Sequence, residues 1–180
     1  AGELSVWTGK RGVGKSTILG QLLLEAIDQG HTVCAYSGEL PKEQFREWIY
    51  LQAAGPEYIG YETDEATGKR LAMVNSMIDK RISEWMDERF WLFDLERNTK
   101  HDPETILKQF EYAKMRYNAD VFLVDNIMSV DFDGFPDRDF NRVQSRFTQM
   151  LVTFSKRRQV HTHLVVHPRK SCLLYTSPSP

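Results

Sequence analysis

Gly9-Lys10-Arg11-Gly12-Val13-Gly14-Lys15-Ser16-Thr17 is the stretch whose residue types and spacing could do chemistry. Gly9 and Gly14 bracket four residues, and a lysine and two hydroxyl residues follow. Glycines allow a turn tight enough for several backbone N–H groups to converge, and a helix starting near Lys15 adds the positive end of its dipole, so the stretch is built to hold phosphate oxygens. In such a cradle Lys15 reaches the β and γ phosphates of a nucleoside triphosphate and Ser16 ligates Mg²⁺. The binding set is Gly9, Gly12, Gly14, Lys15, Ser16 and Thr17. At average residue usage the pattern arises by chance in about 1 in 100 chains this long. Its flanks raise the specificity. Leu4–Thr8 reads as a short buried strand, and Ile18, Leu19, Leu22, Leu23 and Ile27 recur at helical spacing, which places the loop between a strand and a helix.

Three further residues belong at the same edge. Ser37-Gly38-Glu39-Leu40-Pro41 follows the strand-like run Thr32–Ser37, where a parallel sheet binds its ligands. That strand reads as the neighbour of the P-loop strand, which places Glu39 to orient or deprotonate a water attacking the γ-phosphate. A plain acidic residue before a helix start is the alternative. Val121-Phe122-Leu123-Val124 ends in Asp125, the pattern of a fully buried parallel strand that delivers an acid to the ligand edge as the Mg²⁺ partner of a P-loop. Val160–Val166 ends in His167-Pro168-Arg169-Lys170, so His167 sits at the ligand edge while Arg169 and Lys170 meet phosphate, nucleic acid or solvent. His161 and His163 share one strand face, but no cysteine or acid completes a zinc set. Asp131, Asp133, Asp137 and Asp139 lack the glycine and closing glutamate of a Ca²⁺ loop and read as a solvated loop.

The elements that position these residues follow from periodicity and punctuation. Helix one runs Lys15–Asp28 and stops at Gly30. A helix from Pro41 carries Phe45, Trp48 and Ile49 and closes at Gly55. Residues 56–68 are polar and turn-rich, a loop or lid. Leu71–Arg89 reads as one helix, with Met73, Met77, Ile78, Ile82, Trp85 and Met86 as core packing. Phe90–Asp94 is a strand. Asp102 caps a helix with Pro103 in its first turn and Ile106, Phe110 and Ala113 on its buried stripe. Phe140–Arg158 is the last helix, carrying Val143, Phe147, Met150, Leu151 and Phe154. The expected fold is α/β, a mainly parallel sheet flanked by helices.

The 180 residues are 41% hydrophobic and 27% charged, with no apolar run long enough to span a membrane, so one soluble domain is expected. Twenty-three basic against 25 acidic residues leave a net charge of −2, which advertises no global nucleic-acid field. Cys34 falls in a buried strand, and two cysteines make no disulfide framework; a reducing, cytoplasmic compartment is expected. Both ends read as cut. Residues 172–180 resemble the conceptual translation of a sequencing-library adapter, which divides the chain into a core over 1–170 and a non-native tail over 171–180.

Gly9–Thr17, Ser37–Leu40, Val121–Asn126 and Val165–Lys170 together resemble the successive motifs of the RecA-type hexameric replicative helicases. The nearer likeness is to the Twinkle-like and phage primase-helicase branch, with DnaB helicases further off, because His167 stands where DnaB-type enzymes usually place Gln. The resemblance implies a RecA-like P-loop core that uses ATP and Mg²⁺ and travels 5′ to 3′ on single-stranded DNA as a homohexamer, with a primase domain or protein as a partner, in a bacterial or phage cytoplasm or, as the alternative, an organelle. It implies Glu39 as catalytic base, Asp125 as the Walker B acid, His167 as γ-phosphate sensor, and Arg169 and Lys170 near DNA. The family's arginine finger and DNA-binding loop would lie beyond Lys170. Gly38 departs from the bulkier apolar residue often found before the Glu. A RecA- or RadA-like recombinase or other RecA-fold ATPase is the alternative; a small-molecule kinase fits less well, because the 56–68 segment is acidic rather than arginine-rich.

Overall fold

Five parallel strands form the central sheet: β1 (Glu3–Thr8), β2 (Val33–Ser37), β5 (Phe90–Leu92), β6 (Val121–Asp125) and β7 (His161–Val166), in the order β1-β7-β6-β2-β5. The computed structural model describes residues 2–10, 12–65, 67–93, 100–132 and 140–167. Pro168, Arg169, Lys170, the 171–180 tail and most of the Asp131–Asp139 loop lie outside them.

β2 is buried along its whole length between β6 and β5, as its unbroken run Val-Cys-Ala-Tyr-Ser requires. Its alternation sends Cys34 and Tyr36 to one face and Val33 and Ala35 to the other. On the first face they pack with Phe122, Val124 and Leu164 against Ile106, Phe110 and Ala113 of α4 (Pro103–Tyr117) and Phe147, Leu151 and Phe154 of α5 (Phe140–Arg158). On the second, Val33, Ala35, Leu123 and Val165 pack against α1 (Lys15–Asp28), α2 (Lys42–Ala54) and α3 (Ser76–Met86). Burial pushes the Cys34 thiol up to about 12, so it is an inert core side chain.

The structure corrects the sequence reading in three places. β2 does not neighbour β1; β7 and β6 lie between them. Periodicity shows that the β1-α1-β2 crossover exists but says nothing of how many strands it passes. The 56–68 segment is not a lid loop: β3 (Ile59–Thr63) pairs antiparallel with β4 (Arg70–Val74), closed by Asp64 N–H donating to Lys69 O (2.9 Å) and Gly68 N–H donating to Asp64 O (2.7 Å). Arg70–Val74 is therefore strand, and α3 starts only after Asn75, whose Oδ1 accepts from Ile78 N–H (2.9 Å). Pairing with β3 overrides the helix propensity of Leu71, Ala72 and Met73. Ile78, Ile82 and Met86 are core, whereas Met73 and Met77 are exposed, as are Ile18 and Leu22 of α1.

The two histidines of β7 have partners of their own. Trp7 Nε1 donates to His163 Nδ1 (3.1 Å), Ser5 Oγ and His161 Nε2 lie 2.9 Å apart, and the imidazole centroids are 4.5 Å apart. An indole N–H only donates, so His163 Nδ1 must stay unprotonated. Burial first, and then the neighbouring His161, lower the His163 pKa from 6.5 to about 4. An unfolded chain thus takes up this proton near pH 6.5 and the folded one only near 4, so this share of stability is whole above 6.5 and is lost as pH falls through the window. The melting temperature is expected to drop between pH 6.5 and 4, and His163→Asn, whose amide oxygen can accept from Trp7, to flatten that drop in thermal melts across the range.

Candidate active site

α1 begins with Gly14 as its N-cap at φ 83, and no side chain caps its first turn. Its leading N–H groups are offered to an anion instead. Gly12 is also left-handed at φ 79, and a Cβ at either position meets nothing within 4 Å, so backbone handedness and not space demands these glycines. Gly9 is there for close approach: its Cβ would sit 3.3 Å from Val13 Cγ2 and 3.6 Å from Lys15 Cδ. Lys15 is only 9% exposed, and its Nζ donates to Gly9 O (2.8 Å) and Lys10 O (2.9 Å). An ammonium has three donors, which leaves one for a phosphate oxygen. Ser16 is half-buried and Thr17 exposed, while Arg11 lies outside the described residues.

The strand order brings the other candidates to this loop. The last β1–β7 pair is Thr8 with Val166, so Gly9 and His167 leave the sheet at the same level. β6 runs on the other side of β7 and ends at Asp125, opposite Ser37 of β2, two residues before Glu39. Asp125 is buried, and burial raises its pKa; the Ser16 hydrogen bond opposes that, Glu39 adds to it, and His167 and Lys15 pull the other way. Its Oδ1 is buried with no hydrogen-bond partner among the described residues. An orphaned carboxylate oxygen beside a hydroxyl and an ammonium is a donor set for a hard cation, so Ser16 and Asp125 would hold Mg²⁺, which supplies positive charge to phosphate oxygens.

Glu39 stands at the mouth with its side chain 44% exposed, and His167 Nε2 lies 3.6 Å from its Oε1. Asn126, fully buried, donates from Nδ2 to the same Oε1 at 2.5 Å. Behind Glu39, Gly38 N–H donates to Asp125 O (2.8 Å) and Tyr36 OH to Ser129 O (2.9 Å). A Cβ on Gly38 would fall 1.9 Å from Ser129 Oγ and 2.3 Å from its Cβ. That accounts for glycine where a bulkier residue was expected: Ser129 already fills the space. Gly38→Ala should lose most ATP turnover by displacing Glu39, and adding Ser129→Gly, which removes the two nearest clashing atoms and leaves only the Tyr36 hydroxyl at 2.9 Å, should restore part of it in a hydrolysis assay.

The structure therefore brings Lys15, Ser16, Glu39, Asp125 and His167 together at one edge of the sheet. Arg169 and Lys170 fall outside the described residues. Asn126 and Ser129 were missed; no spacing rule marks them, and the only local hint is that Asn126 directly follows Asp125.

The AAA domain family matches residues 1–172. The chain belongs to that family. This AAA domain is similar in structure to a KaiC-like protein from the hyperthermophilic archaeon Pyrococcus horikoshii OT3, at 15% identity and a TM-score of 0.59, over 93% of the chain. It spans 62% of that protein's length. At this identity the likeness shows the fold alone, a RecA-like P-loop core. No curated protein matches the AAA domain described here, and among its described residues no helix is long and apolar enough to cross a membrane.

Proposed function

We propose that this AAA domain is the motor of an ATP-dependent DNA helicase, coupling ATP hydrolysis to 5′ to 3′ movement on single-stranded DNA. Lys15 and the loop N–H groups bind the phosphates, Ser16 and Asp125 would hold Mg²⁺, and the Glu39 carboxylate takes a proton from the water that attacks the γ-phosphorus as the bond to the β,γ-bridging oxygen breaks and ADP leaves. Residues 1–170 form the ATPase core of a homohexamer that works with a primase domain or protein.

The observation that carries the reading is His167. It sits 3.6 Å from Glu39 at the end of the strand between β1 and β6, and Pro168-Arg169-Lys170 follow it in the sequence. One side chain thus touches the hydrolytic group and opens a basic segment suited to a phosphate backbone. Phosphate release measured with and without single-stranded DNA, beside displacement of an annealed oligonucleotide, tests it. DNA should raise the rate and ATP should drive displacement. Pairing of strands without displacement would favour the recombinase alternative, and transfer to a small-molecule acceptor rather than water a kinase.

A further inference from the structure

We infer that Asn126 is a positioning residue for hydrolysis, acting through Glu39; this rests on Glu39 being the base that the proposed function makes it. Glu39 is more than two-fifths exposed, on a turn beyond the end of β2, and a glutamate there has three side-chain torsions to order before its carboxylate can meet a water reproducibly. Asn126 supplies that order. It is fully buried, and its oxygen end is fixed because Oδ1 accepts Met128 N–H at 2.8 Å. The amide NH₂ must then face the other way, where it donates to Glu39 Oε1.

The anchor is stiff. Asn126 O accepts both Ser129 N–H (3.2 Å) and Ser129 Oγ–H (2.7 Å), closing the single helical turn Ile127–Ser129. That turn is locked to β2 by the Tyr36 bond to Ser129 O and by the packing of Ser129 against Gly38. Asn126 follows the Mg²⁺ acid Asp125 in the chain, so one strand end sets the place of the cation ligand and of the base together. His167, on the same carboxylate oxygen, then completes a pair of nitrogens that bracket Glu39.

Asn126→Asp is the discriminating variant. It keeps shape and the acceptor for Met128 N–H, and replaces the donor facing Glu39 by an oxygen. Single-turnover hydrolysis with protein in excess, beside titration with a fluorescent ATP analogue, separates rate from binding. The rate constant should fall about 10²-fold, the cost of misplacing a reacting group by an ångström, with affinity changed less than about twofold. In a Glu39→Gln background the same change should cost less than about twofold, because both act through one carboxylate. Asn126→Ala, compared at equal folded fraction by circular dichroism, should repeat the pattern without an added charge. Unchanged turnover in both variants, or a full 10²-fold loss on top of Glu39→Gln, would overturn the inference. Lys15→Ala keeps the two readings apart: if it leaves hydrolysis intact the site itself is misassigned, whereas if it abolishes hydrolysis while the Asn126 variants turn over normally, only the role of Asn126 fails.

Discussion

Lys15→Ala should weaken ATP binding by about 10- to 100-fold and lower turnover further, because it deletes a buried cation of the phosphate loop. Charge-assisted hydrogen bonds are worth about 1.5–3 kcal/mol each, and each 1.4 kcal/mol is tenfold in affinity. A second loss adds to this. Nζ holds the carbonyls of Gly9 and Lys10, so the alanine also strips the loop of the side chain that draws its backbone together. Lys15→Arg is expected to fail as well, since a planar guanidinium cannot occupy a pocket shaped around an ammonium that is 9% exposed. Binding of a fluorescent ATP analogue and phosphate release measure the two losses separately. Undiminished ATPase in the alanine variant would sink the site.

Glu39→Gln should leave ATP bound with near-normal affinity while hydrolysis of the bound nucleotide falls about 10²- to 10⁴-fold, the usual weight of a general base. The structure makes this a clean substitution. Glutamine keeps an Oε1 to accept from Asn126 Nδ2, so the side chain stays held while its charge and basicity go. Removing that charge also takes away one of the influences raising the pKa of Asp125, which argues against weaker metal or nucleotide binding in the variant. Single-turnover rates against equilibrium binding decide it. Weaker binding with normal turnover of what binds would make Glu39 a structural residue.

The chain of the phosphate loop carries its own instructions, because everything the loop does is local. Gly12 and Gly14 supply left-handed turns, Lys15 follows at once, and the helix whose N–H groups face the anion is the next stretch of sequence. Start and stop signals worked for the same reason: Asp102 accepting from Thr105 N–H needs no partner from elsewhere, and α1, α4 and α5 run as their periodicity indicates. β4 was misread because its residues favour helix and only the pairing with β3 makes them a strand. The order β1-β7-β6-β2-β5 was equally out of reach, since strand neighbours are chosen by packing over long separations, and it is this order that sets Asp125 and His167 at the ends of neighbouring strands. Asn126 meets Glu39 across 87 positions and Ser129 excludes any side chain at Gly38 across a similar span. Sequence determined which groups arrive at the edge of the sheet; tertiary packing decided which of them touch, because contact at 2.5 Å depends on strand register and close approach that no local pattern encodes.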